Sequence, residues 1–98
     1  MLTAIVLRDD ELSTLSRNQV LALEHLLHDT LSDVARTRRS GDSALLLAIK
    51  AADYLAPLID ELGDEGVEEL LDEVAHSDLG RTALQRANEV AAITRNAA

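Results

Sequence analysis

The chain has 98 residues, no cysteine, a single tyrosine with neither Phe nor Trp, and a formal net charge of −9. That length holds one small domain with a single core, here residues 1–98 as one helical unit. The missing cysteines exclude disulfides, thiolate metal sites and a cysteine nucleophile, and fit a reducing cytoplasm. The 47% hydrophobic content is drawn from Leu, Ala, Val and Ile, so the interior has to be aliphatic, and Leu-rich helices packed on one another are the natural way to build it. The most apolar stretch, residues 44–59, is interrupted by Lys50, Asp53 and Pro57 and falls short of the roughly 20 residues that span a bilayer. The first ten residues have neither the basic start nor the long apolar run of a signal peptide. The expectation is a cytoplasmic protein with no membrane partner.

Residues 3–7 form a short apolar run around Ile5 and Val6. It reads either as an extended segment, which would need another copy of the chain as its strand partner, or as a lead-in laid against the helices. From residue 10 to about 37, Leu12, Leu15, Val20, Leu23, Leu27, Leu31 and Val34 recur at helical spacing, with Asp9 and Asp10 suited to the cap and first turn. Ser16 with Gln19 three residues on allows a second capping box and a restart, but one long helix is the preferred reading. It ends at Arg36, Arg38 and Arg39, before the turn at residues 40–43.

A second helix capped by Asp42 or Ser43 presents Leu45, Leu46, Ile49, Ala52, Ala56, Ile59 and Leu62. Pro57 removes a backbone donor and clashes with the preceding turn, which predicts a kink or break near residues 55–56. Gly63 to Gly66 reads as a turn, followed by a third helix with Val67, Leu70, Leu71 and Val74 inward. After the interruption at residues 76–80, a fourth helix carries Ala83, Leu84, Ala87, Val90 and Ala91. The sum is an all-α, three- to four-helix bundle with the option of a short N-terminal extended segment.

The charge is unevenly placed. Residues 51–80 carry ten carboxylates and no Lys or Arg, while the rest of the chain sets eight carboxylates against nine cations. Glu68 with Asp72, and Glu69 with Glu73, are like-charge pairs four apart, each costing roughly 0.2–0.5 kcal/mol on a helix surface. Their repulsion can be relieved by salt, by Arg81 and Arg86 on the fourth helix, or by a partner. Three readings follow: a solvated acidic face, a docking surface for a basic protein, or mimicry of a nucleic-acid backbone. The residues placed on the docking surface are Asp64, Glu65, Glu68, Glu69, Asp72 and Glu73.

Other motifs are weaker. The Arg36 to Arg39 cluster fits a helix C-terminus better than a phosphate site, in a chain with no basic face or aromatic stacking platform. His25 and His28, and the Glu73-x-x-His76 pair, lack the second pair and the inward carboxylates of a di-metal bundle. Leu62 and Leu71 fall where a calcium loop in residues 60–71 would need oxygen ligands. No nucleophile elbow, phosphate-binding glycine loop or metalloprotease helix motif occurs, so neither catalysis nor a cofactor is expected.

Thr3-Ala4-Ile5-Val6-Leu7-Arg8-Asp9-Asp10-Glu11-Leu12 resembles the strand and helix start of ribbon-helix-helix regulators, and Ser16-Arg17-Asn18-Gln19-Val20-Leu21 is similar to the start of their second helix. The resemblance covers about the first third and implies a DNA-binding regulator or antitoxin, with the ribbon and Arg17 on DNA and an acidic half for a partner. The intervening helix would be about two turns too short, and residues 3–7 lack the polar and basic side chains that read a groove. The principal expectation is therefore a small acidic interaction module: an adaptor, inhibitor or regulatory subunit, forming a homo-oligomer and binding a basic protein, with nucleic acid not expected as a partner.

Overall fold

The computed structural model describes residues 2–36 and 41–97, with side chains for 2–36 and 44–92. The helices are α1 (Thr3–Val6), α2 (Asp9–Leu12), α3 (Arg17–Arg36), α4 (Gly41–His76) and α5 (Asp78–Ala97), and there is no β-strand among the described residues. The fold is a compact all-α bundle with a radius of gyration of 13.4 Å. Arg38, Arg39 and the start of the expected turn at Ser40 lie outside the described residues, as do the capping side chains of Asp42 and Ser43.

Residues 3–7 are not an extended segment. Val6 and Leu7 donate their backbone N–H groups to the carbonyls of Leu2 and Thr3 at 3.1 and 2.9 Å, closing one helical turn. An isolated turn of this length does not stand in water, because nucleation costs more than one or two hydrogen bonds return. Here both of its ends are held from outside. At the start, the Glu24 carboxyl group of α3 accepts the N–H of Leu2 at 3.3 Å, the N–H of Thr3 at 2.8 Å and the Thr3 hydroxyl at 2.6 Å. At the other end, Arg86 of α5 donates to the Val6 carbonyl at 2.9 Å and to Glu11 at 2.8 Å. The Arg86 hydrogen bond, followed by the Arg8 backbone N–H, holds the Glu11 carboxyl below its usual range.

The single helix expected over residues 10–37 is two helices. After α2, Ser13 and Thr14 turn their hydroxyls back onto the carbonyls of Asp10 and Glu11 at 2.9 and 2.7 Å, the competition with helical bonding that short hydroxyl side chains offer. The chain restarts on the capping box: Gln19 accepts the Ser16 N–H at 2.8 Å and donates its own N–H to the Ser16 hydroxyl at 3.2 Å.

The longest packed interface is α3 against α4. Leu23 and Leu27 from α3 and Leu58 from α4 are fully buried, joined by Val6, Leu7, Val67, Val74, Ala83 and Ala87. Truncating a Leu of that kind to Ala costs about 2–5 kcal/mol. Two side chains of α3 tie it to the backbone of α4, Ser32 to the Ala44 carbonyl at 2.9 Å and His25 to the Ala51 carbonyl at 2.7 Å. A carbonyl can only accept, so Nδ1 of His25 carries the proton.

The helix does not break at Pro57. In α4 the non-helical residue is Gly63, at φ 74° and ψ 171°, a region open essentially to glycine alone. Pro57 keeps helical dihedrals, and its ring faces solvent. The missing proline donor leaves the Asp53 carbonyl to water, which is tolerable on an exposed face. The expected turn over Gly63 to Gly66 shrinks to one residue, dividing α4 into an upper arm, residues 41–62, and a lower arm, residues 64–76. At the next corner, Ser77 donates to the Val74 carbonyl at 2.8 Å and accepts the Gly80 N–H at 3.0 Å. A Cβ on Gly80 would overlap that same carbonyl, which is why α5 can start directly against the end of α4.

Gly63→Ala is expected to lower stability by about 1–3 kcal/mol through backbone strain alone, since no atom lies within 4 Å of the added methyl. Pro57→Ala should be neutral or stabilising. Urea denaturation of both variants checks the pair, and the opposite ranking would move the break to Pro57.

Candidate functional site: the acidic arm of α4

The lower arm of α4 buries Val67 and Val74 and half-buries Leu70 and Leu71. The apolar residues thus recur at the spacing that lays one face on the bundle. The positions left over are the acids. Asp64, Glu65, Glu68, Glu69, Asp72 and Glu73 are all exposed. Glu65, the adjacent Glu68 and Glu69, and Asp72 stand at successive steps of three or four residues and form a stripe along the outer face, with His76 continuing it one turn on. Asp64 and Glu73 lie to either side. Glu73 borders a cleft of about 270 Å³ closed by Thr14 and Gln19 from the α2–α3 region and by Ser77 and Leu79 from the α4–α5 corner.

Among the described residues no Lys or Arg pairs with this stripe. Arg81 pairs with Asp78 at 2.9 Å, and Arg86 is committed to Glu11 and the Val6 carbonyl. Neither reaches the arm. Among the described residues the stripe's one ion-pair contact is Asp72 with His76 at 3.3 Å, between side chains 78% and 77% exposed, and it carries charge only when His76 is protonated. Exposed pairs of that kind contribute little.

The histidines singled out by spacing are structural. His28 directs Nδ1 to the Glu24 carbonyl at 2.8 Å, with Oε2 of the same residue 3.4 Å away, and packs against Tyr54 with ring centroids 5.0 Å apart and planes tilted by 42°. His76 directs Nδ1 to the Asp72 carbonyl, away from Glu73. No group of three or more His, Cys, Asp or Glu among the described residues is arranged to hold a metal ion. Burial, and then the nearby Glu24 and Asp53, push the Tyr54 hydroxyl above the usual phenol range.

Thr3–Val6, the residues that a ribbon-helix-helix resemblance assigns to the DNA-reading strand, form helix α1 and sit partly inside the core. The ribbon implied by that resemblance is absent. No helix among the described residues is long and apolar enough to cross a membrane. No protein-family model, curated protein or solved structure matches the chain.

Sequence reading gave Glu24 no role beyond its place beside the histidines. Its signal was positional: an acid one residue after Leu23, three before Leu27 and four before His28 lies on the buried face of α3, where a carboxyl group requires several donors.

Because no described Lys or Arg relieves the stripe's repulsion, added salt should raise the melting temperature. Glu69→Gln should be neutral or stabilising in the same thermal scan. A clear loss of stability from both changes would mean that the arm is paired within the fold.

Proposed function

We propose that this protein is an interaction module whose acidic arm docks onto a basic surface of another protein, in the manner of an adaptor, inhibitor or regulatory subunit. The observation that carries the reading is the outer stripe Glu65, Glu68, Glu69 and Asp72, exposed together and without a Lys or Arg partner among the described residues. Mutual repulsion costs the folded state free energy with no return from the described cations, whereas a complementary positive surface converts it into faster encounter and selection of partner. The stripe also stands on a rigid support. Val67 and Val74 anchor the arm from beneath, so the charges are presented in a fixed geometry and little ordering entropy is lost on docking.

The test is charge reversal at Glu65, Glu68 and Asp72, read as association rate with the partner recovered from the native host and with a lysine-rich helical peptide. The matched control reverses the same number of exposed acids elsewhere, Asp29, Asp33 and Glu89; Glu24 is fully buried and would report on folding instead. Reversal on the arm should slow association about tenfold or more at low salt, and the control much less. Equal slowing by both sets would reduce the effect to overall charge, and no slowing by either would move docking off the acidic arm.

A further inference from the structure

The upper arm of α4 is apolar on two sides. One side is spent on α3 through Ala44, Ala51 and Leu58. The other points to solvent: Leu45 and Leu46 are each 61% exposed, Ile49 50%, Ile59 41% and Leu62 38%, with Ala52 and Ala56 exposed between them. A helix apolar on both sides has room for a second neighbour. The order of six of these seven residues points to that neighbour. Leu46, Ile49, Ala52, Ala56, Ile59 and Leu62 read the same in both directions about position 54, and the residue at that centre, Tyr54, belongs to the opposite side of the helix, against His28. A twofold axis at that level opposes Ile49 to a second copy's Ile59 and Ala52 to its Ala56. Large layers then flank a small central pair that lets the two backbones approach closely, as the self-complementarity of a twofold interface demands. Ile49, Ala52, Ala56 and Ile59 also keep the alternating three- and four-residue spacing of a coiled-coil seam.

Charge selects the direction of pairing. Lys50 is the sole Lys or Arg between residues 41 and 76, it is exposed, and it has no ion pair among the described residues. Antiparallel packing sets the Asp60 and Glu61 end of each copy beside the half of the other that carries Lys50 and the positive end of the α4 dipole. Parallel packing would stack the two acidic ends on each other. We propose that the solvent-facing side of residues 46–62 is the seam of an antiparallel homodimer centred on position 54. The acidic arms would then project from its two ends.

The chain lacks cysteine, so introduced thiols report the register directly. Ala52→Cys and Ala56→Cys chains, mixed and oxidised, should cross-link one to the other in preference to like with like. Light scattering of the unsubstituted chain at micromolar concentration should give twice the 10.6 kDa chain mass. Ile49→Asp, a change at an exposed position, should halve that mass with helix content unchanged by circular dichroism. Preferential like-with-like cross-linking, or a dimer that survives Ile49→Asp, overturns the proposal. A chain that stays monomeric overturns it too, whether the face proves to serve phosphatidylcholine vesicles, a different protein or nothing.

Discussion

The fold depends on where the Glu24 carboxyl group finds its donors. A carboxyl group with no exposed surface is costly unless its oxygens are hydrogen-bonded, and α3 itself brings only Nδ1 of His28 near it, 3.4 Å from Oε2. The donors come from the first turn of the chain: the amides of Leu2 and Thr3 and the Thr3 hydroxyl. The dependence runs both ways. Glu24 needs the turn for its donors, and the turn, too short to persist alone, needs Glu24 as its cap. Once α1 is seated, Val6 and Leu7 close over the core, and the Val6 carbonyl and Glu11 become the anchors of Arg86 on α5. Elements about eighty residues apart in sequence are thus tied through one helical turn, and α3 and α5 share it as a common contact.

A second organising device is Gly63. Its positive φ ends the upper arm of α4 and lets the lower arm take a new direction against α5 without interrupting the chain. The two arms have opposite surfaces. The upper exposes Leu and Ile, the lower exposes carboxylates. A change of direction at one glycine keeps the apolar and acidic faces apart, so that a molecule docked by charge on one need not cover the other.

The helices of the bundle were legible from the sequence because aliphatic residues recur at helical spacing over long stretches, and the core positions Leu23, Leu27, Val67 and Val74 follow from that spacing. What escaped was decided by contacts between distant residues. The apolar run at residues 3–7 has strand-like local preference, and only the cap from Glu24 and the anchor from Arg86 make it helical. Pro57 carries a strong local signal for a kink, yet a proline whose face is exposed leaves its unpaired carbonyl to water, so the helix passes through it. Ser16 and Gln19 were a correct local signal outweighed by the periodicity around them. The acids of the lower arm are exposed as a helical wheel implies, but that Arg81 and Arg86 are engaged elsewhere could be known only from their partners.

The account is tested most directly by amide hydrogen exchange at Thr3. Amides in the opening turn of a helix ordinarily lack an intrahelical acceptor and exchange as fast as unfolded chain. A Thr3 N–H held by a fully buried Glu24 should instead be protected to the level of the α3 core amides, and should lose that protection in Glu24→Ala under conditions where α3 and α4 remain folded. Exchange of Thr3 at the unfolded rate in the native protein would contradict the account, because the turn that joins α3 to α5 would then not be held in place.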